Sequence, residues 1–392
     1  MKKEYNILEE AKELFDELSE YRRYLHTVAE IGFDLPKTTE YVGNILTEIG
    51  ISTEFLGSGI VATLGEGQGS TVLLRADMDA LPIKEQTGLS YSSQNGNMHA
   101  CGHDMHTAML LGAARLLKEH EKDLYGRIKL VFQPAEERLM GAKEMIKAGV
   151  LDDHKPDAAL MLHVVTARDI PTGTVIVPTG GVIAPSADYF SLRIKGRGSH
   201  GASPKEGIDP ITCGARILLG LEELSARELL GSGSILTVGK FFGGTAANAI
   251  ADEAVMEGTI RSYDDELRET LKVRISEITE GISYAFGART EAEFTEGCPA
   301  FVADGALSSA VKIYLTELLG KNKILVPDGF VGGGSEDFSY FAEKVPSLMI
   351  ALSAGANEYT LHHPKVRFDE SVLPIGAAAY AYVALRLTDE EI

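Results

Sequence analysis

Cysteine is scarce in this chain: three in 392 residues, at positions 101, 213 and 298. An odd number of widely separated thiols argues against a disulfide framework. Positive charge is also short, with 37 Lys and Arg against 57 Asp and Glu and a formal net charge of −20. No run of Lys or Arg supplies a basic patch. A chain this acidic repels phosphate backbones and anionic lipid, so nucleic-acid and membrane roles are disfavoured. No stretch approaches the roughly 18 uninterrupted apolar residues of a membrane span. The first segment, MKKEYNILEEAKELFDELSEYRRYLH, is charged and has helical periodicity, with Leu8, Leu14, Phe15 and Leu18 on one stripe. It lacks the continuous apolar core of a signal peptide, and a cytoplasmic protein is expected. There is no internal repeat and no low-complexity tract.

What is present is ordinary globular composition, 44% hydrophobic and 24% charged, in a length that exceeds one hydrophobic core and suggests two domains. Up to about residue 180, short apolar runs alternate with helical patterns. TVLLRADMDA reads as a buried strand ending at Asp77 and Asp79, HTAMLLGAARLLKEH as a helix, and RIKLVFQPAEE as a strand stopped by Pro134. AKEMIKAGVL follows as a helix and AALMLHV as a strand ending at His163. This alternation predicts an α/β domain with a largely parallel sheet, whose ligands gather at the carboxyl ends of its strands. The segment from 187 to 297 instead reads β-α-β-β-α-β, the ferredoxin-like order. After it the α/β style resumes, with PSLMIALSAG as a strand and ESVLPIGAAAYAYVALRL as a closing helix. The expected organisation is a discontinuous domain over 1–184 and 299–392, interrupted by an α+β insertion over 185–298.

Four short stretches carry residues suited to chemistry. In HACGHD, Cys101 and His103 flank Gly102, whose freedom allows a tight turn that brings thiolate and imidazole together as zinc-type ligands. A buried cysteine beside a helix-starting histidine is the competing explanation. In FQPAEE, Glu136 and Glu137 complement a helix dipole, or divide labour between metal binding and general-base action on water. His163 is a structural histidine or a further ligand, and either His362 or His363 in LHHP lies on non-helical backbone before a proline. Together, Cys101, His103, Glu137, His163 and one of that pair would supply five ligands. Five suffice for two metals roughly 3.5–4 Å apart when a thiolate bridges them. Asp79 is placed to orient a ligating histidine, and His99 and His106 read as supporting residues.

These motifs resemble those of the aminoacylase, hippurate hydrolase and indole-acetyl-amino-acid hydrolase family of metal-dependent amidohydrolases, relatives of carboxypeptidase G. The matching segments are RADMDALPI, HACGHDMHTAMLLGAA, FQPAEE, GAKEMIKAGVL, LHV, GRGSHGASP, GTIRS, GGGSEDFSYF and LHHP, in family order from about 22 to 385. The resemblance implies a dinuclear-metal catalytic domain with an inserted lid, which often dimerises, so a homo-oligomer is expected. Cys101 would bridge two divalent ions (Zn, Mn, Co or Ni), with His103 and His163 completing one site and Glu137 and His362 the other. Glu136 would deprotonate the attacking water and pass the proton to the departing amine, and Asp79 would support the site. His200 would act as an oxyanion partner, Asn248 and Arg261 would hold the α-carboxylate of an N-acyl-amino-acid substrate, and Ser335 would be a further substrate-binding residue. A dipeptidase or aminopeptidase-like reaction is the alternative on the same metals; a mere binding protein would be expected to have lost these ligands. Ala251, Ser199 and Met140 depart from the family pattern and put the substrate preference of any one relative in question.

Overall fold

The computed structural model describes residues 5–327, 334–355 and 358–389; the first two glycines of GGGSEDFSYF lie outside them. Among these residues the chain divides into two compact units, Met1–Ile183 with Val302–Phe330 and Asp337–Ile392, and Ala184–Phe301 with Val331–Glu336.

The first unit begins with helices α1 (Ile7–Glu13), α2 (Phe15–Val28) and α3 (Pro36–Ile49), then strands β1 (Thr53–Leu56), β2 (Gly59–Leu64) and β3 (Thr71–Asp77). It continues with α4 (His103–Glu119), β4 (Arg127–Gln133), α5 (Gly141–Lys147), β5 (Ala158–Val165), β6 (Val175–Ile176) and β7 (Gly181–Ala184). The expected N-terminal stripe is corrected here. A break at Leu14 separates α1 from α2, and the buried face carries Ile7, Ala11, Leu18, Tyr21 and Leu25, whereas Phe15 is exposed. Small Ala11 and amphipathic Tyr21 complete that face, which a count of Leu and Phe alone does not find.

The second unit contains β8 (Ser186–Lys195), β9 (Ser199–His200), α6 (Pro210–Glu228), β10 (Ile235–Gly243), β11 (Ala249–Ile250), β12 (Glu253–Ser262), α7 (Asp265–Phe286) and β13 (Arg289–Cys298). Its four-stranded antiparallel sheet runs β10-β12-β8-β13. Ile217 and Leu221 of α6 and Leu271 and Ile275 of α7 share one core with Leu192, Ile194, Met256 and Ile260 of the strands. Asp209 and Asp264 cap the two helices by accepting backbone N–H groups of their first turns.

The chain closes with β14 (Phe301–Ala303), α8 (Gly305–Leu319), β15 (Ile324–Leu325), α9 (Ser339–Ala342), β16 (Ser347–Ser353) and α10 (Leu373–Thr388). The large sheet has the order β1-β2-β4-β3-β5-β16-β6-β15. Its centre, β4-β3-β5-β16, is parallel; β1, β2 and the β6–β16 pair add antiparallel flanks. The central strands read as continuous apolar runs because helices cover the sheet. Helices α4 and α10 pack together on it and are buried nearly all round; α10 is largely apolar, whereas α4 carries its polar residues toward its two ends.

One irregularity in this sheet positions the site. β3 pairs with β4 as far as Asp77↔Gln133, and β5 with β16 as far as Val165↔Ser353. Between β3 and β5 the register stops earlier, at Arg75↔Met161. There the Tyr380 hydroxyl accepts the Leu162 N–H and donates to the Arg75 carbonyl, both at 2.7 Å. The two strands therefore part toward their carboxyl ends, where crevices of open α/β sheets hold ligands.

Candidate metal centre

The five ligand candidates of the first unit come from four separate pieces of backbone. Cys101 precedes Gly102, which adopts φ +89° and caps α4; a Cβ there would lie 2.4 Å from Val164 Cγ2. Both the left-handed backbone and the close approach require glycine. His103 opens α4, and its Nδ1 donates to the Asp79 carbonyl at 2.8 Å, leaving Nε2 as the coordinating atom. His163, near the end of β5, similarly uses Nδ1 on the Val164 carbonyl at 2.7 Å, and its Nε2 lies 3.5 Å from Cys101 Sγ.

His362 reaches the same sulfur from a loop, with Nε2 3.4 Å from Cys101 Sγ and 3.5 Å from Glu137 Oε1. Its own N–H donates to the Ala100 carbonyl at 3.0 Å, and its φ of +64° is rarely adopted by a non-glycine residue. His363 turns elsewhere and stacks on Tyr359 at 4.2 Å. Glu136 and Glu137 sit in one 3-10 turn, Glu136–Arg138, bounded by Ala135 and Leu139, both left-handed. The Asp79 carboxylate holds this turn by accepting the Glu136 N–H at 2.9 Å and the Glu137 N–H at 3.2 Å.

This refines the expected role of Asp79. The histidine is oriented by its main-chain carbonyl, while its side chain fixes the two glutamates.

The resulting donor atoms form two sets, Cys101–His103–His163 and Cys101–Glu137–His362, each with ligand atoms within 4.8 Å of one another and with the thiol in common. His103 Nε2 and Glu137 Oε1 are buried without a hydrogen-bond partner. Such orphans are rare in finished proteins and are accounted for by a cation. Thiolate, imidazole and carboxylate in this combination suit a transition metal of the zinc type.

The electrostatics agree. Burial and the Glu137 carboxylate push the Cys101 thiol well above its ordinary value. Burial also pushes Glu137 up to about 7, against the pull of His103 and with help from Asp79 and Asp77. A bound cation would reverse both shifts. His163 is pushed down to about 3, chiefly by burial and then by neighbouring His106, and is therefore a neutral donor.

A third cluster, Asp77–His103–His106, also has metal-like spacing. His106, however, spends Nδ1 on Asp77 Oδ1 at 2.6 Å and Nε2 on the Val164 N–H at 2.8 Å, so it has no atom left for a metal. His99 is buried with both ring nitrogens unpartnered, and burial pushes it down to about 3, so that it is neutral near pH 7.

The remaining site candidates lie in the second unit. His200 of β9 pairs with Ala249 of β11, and the Gly201 N–H donates to the Asn248 carbonyl at 2.8 Å, so His200 and Asn248 share one exposed ribbon. Arg261 of β12 donates from Nη1 to Ser335 Oγ, which lies 3.3 Å from the Ser186 carbonyl.

Sequence reasoning missed several supporting groups. Ala135 carries no turn signal although it is left-handed. Arg75, buried, donates to Asp77 at 2.7 Å and to Asp337 at 3.0 Å, and this pairing is far apart in sequence. Arg22, His26 and Asp104 form another buried network directly behind His103, with Arg22 Nε and His26 Nδ1 each 2.8 Å from Asp104 Oδ2.

Residues 73–386 match the model of Peptidase family M20/M25/M40. The chain belongs to this family. Among M20 relatives it is 40% identical over 374 residues to the N-acetyl-L-cysteine deacetylase of Bacillus subtilis, covering 94% of this chain and 87% of that one. It is 36% identical over 398 residues to IAA-amino acid hydrolase ILR1-like 2 of Arabidopsis thaliana, covering 98% and 89%. Two solved structures share the whole fold. One, from methicillin resistant Staphylococcus aureus, has a TM-score of 0.89 at 34% identity, covering 97% and 98%. The other, described as a dinuclear metal binding peptidase of the M20 family from Bacillus subtilis, has a TM-score of 0.82 at 31% identity, covering 97% and 100%.

Proposed function

We propose that this M20 protein hydrolyses the amide bond of N-acyl-L-amino acids to a carboxylate and a free amino acid, using two divalent metal ions. The carrying observation is the pair of three-donor sets that share the Cys101 sulfur, with Glu136 beside them. Cys101, His103 and His163 would hold one ion, and Cys101, Glu137 and His362 the other. Two such ions, when bound, polarise a carbonyl oxygen and make water a stronger acid.

The protein's own groups do the rest. Glu136 lies beside the centre, its Oε2 3.9 Å from His103 Nε2, the same distance as Glu137 Oε1. Its carboxylate takes a proton from the attacking water as oxygen adds to the acyl carbon. As the C–N bond breaks, the same proton goes to the amine nitrogen. The main chain of Asp79 keeps His103 in the tautomer that offers Nε2, and its side chain keeps Glu136 from drifting.

His200 is assigned to hydrogen bonding at the substrate carbonyl oxygen, and Asn248 and Arg261 to the α-carboxylate, where a planar guanidinium pairs in bidentate fashion; Ser335, bonded to Arg261, is assigned to substrate binding beside it. The substrate class follows relatives named for N-acetylcysteine and for IAA-amino acids. Cytoplasmic location and a homo-oligomeric state belong to the same proposal. Its test is metal analysis of the purified protein, followed by hydrolysis of N-acetyl, N-benzoyl and unacylated dipeptide substrates with zinc, manganese, cobalt or nickel added back. Two bound ions and preference for acylated substrates are expected. Metal-independent turnover, or dipeptides cleaved far faster than acylated amino acids, would overturn it.

A further inference from the structure

We propose that His106 is a positioning residue for one half of the centre: it ties the parted ends of β3 and β5 together and thereby fixes His163. This rests on the two-metal function proposed above. His106 lies one helical turn after His103 and is buried; the sequence marks it as a supporting residue without showing what it supports.

The observations converge on the gap between the strands. Beyond Arg75↔Met161 the ladder between β3 and β5 is lost. The Val164 N–H, which no β3 carbonyl reaches, donates instead to His106 Nε2 at 2.8 Å. That N–H belongs to the peptide joining His163 to Val164, so its direction sets the direction of the His163 side chain. On the other side of the gap, Nδ1 of His106 donates to Asp77 Oδ1 at 2.6 Å.

Asp77 is itself immobilised. Its second oxygen accepts from Arg75 at 2.7 Å, and its carbonyl accepts from Thr107 at 2.8 Å. His106 thus has one permitted tautomer, with the proton on Nδ1 and the lone pair on Nε2. Its ring also packs edge-on against His163, with centroids 4.6 Å apart. Removing it would leave a buried N–H without an acceptor, which a strand end relieves by turning its peptide.

The arrangement is one-sided. Glu137 is held by Asp79, and His362 by the Ala100 carbonyl, neither through His106. Loss of His106 should therefore weaken the ion shared by His103 and His163 and spare the one shared by Glu137 and His362. Tyr380 provides the contrast, because it bridges the same strand pair further from their ends, at Arg75 and Leu162.

The test uses the full-length protein stripped with chelator and titrated with cobalt(II), reading stoichiometry and the ligand-field and thiolate charge-transfer bands, with thermal unfolding alongside. Wild type, His106→Ala, His106→Gln and Tyr380→Phe are compared. Wild type should take two equivalents. His106→Ala should keep one at wild-type affinity and bind the other roughly 10–100-fold more weakly, the usual effect of removing an orienting partner. His106→Gln, whose amide offers a donating nitrogen and an accepting oxygen, should recover most of that loss. Tyr380→Phe should lower the unfolding temperature yet keep both equivalents. The proposal is overturned if His106→Ala binds both ions like wild type, if Gln is no better than Ala, or if Tyr380→Phe loses the second equivalent to the same degree. Failure of wild type itself to bind two ions would instead refute the two-metal function.

Discussion

The Asp79 carboxylate holds Glu136 by its backbone: Oδ1 accepts the Glu136 N–H at 2.9 Å, across 57 residues of chain. The bond fixes a turn that its own dihedrals would not favour, because both flanking residues, Ala135 and Leu139, are left-handed without being glycine. Replacing Asp79 by Ala should release that turn. The expected result is a kcat lowered by about 10²-fold, the usual cost of a misplaced catalytic group, with at least one metal retained, and a stability loss of about 1–3 kcal/mol for each freed N–H that stays buried. Steady-state kinetics and denaturant unfolding check this, and an unchanged kcat would contradict it.

Glu136 is the proton carrier in the proposed reaction, whereas Glu137 is the ligand. Glu136→Gln should therefore lower kcat by about 10²–10⁴-fold, the usual worth of a general base, with metal content near two per chain. Glu137→Gln should instead lose metal. Paired kinetics and metal analysis separate the two neighbours; equal metal loss in both would remove the distinction.

Cys101 is common to both ligand sets, so its loss should be felt by both ions. Cys101→Ala is expected to leave less than one ion per chain, and chelation of wild type should abolish activity reversibly. Chelated wild type should also unfold at lower temperature, since any ligand that binds only the native state stabilises it. Calorimetry with and without chelator gives the comparison. A Cys101→Ala protein that is fully metallated and active would refute the bridging assignment.

Stability should have an alkaline and an acidic limb traceable to one buried cluster. Burial opposes the charge on His26, but hydrogen bonds to Asp104 and Glu85 outweigh it and push the imidazole up to about 9. Glu85, despite burial, is held down at about 2 by His26 and Thr87. A raised histidine contributes stability that is complete below its ordinary value and lost as pH rises through 9; a depressed carboxylate contributes above its ordinary value and loses it as pH falls toward 2. The unfolding temperature should thus be highest between about pH 5 and 7. His26→Gln should flatten the alkaline limb selectively, by comparison with wild type across pH 7–10 at constant ionic strength. An alkaline limb identical in the variant would assign it elsewhere.

Much of this protein is written locally. The apolar runs at 71–77, 127–133 and 158–165 became the central strands because both sheet faces are covered, and the capped, amphipathic stretches at 210–228 and 265–286 became the helices of the second unit. HACGHD, FQPAEE and LHHP likewise announce thiol, carboxylate and imidazole donors, and their residue types alone fix the class of metal they suit.

Other features depend on pieces of chain that meet only after folding. That β3 and β5 separate beyond Arg75 and Met161 follows from Tyr380, some 300 residues downstream, entering between them. That His106 is excluded as a ligand follows from both its nitrogens finding partners on those two strands, and that His362 faces Cys101 while His363 stacks on Tyr359 goes with loop hydrogen bonds, among them His362 N–H to the Ala100 carbonyl and His363 N–H to the Thr360 carbonyl. A sequence lists donors and acceptors, but hydrogen bonds are satisfied in space. Which histidine keeps a free nitrogen for a metal is decided by what else the fold brings within 3 Å of it.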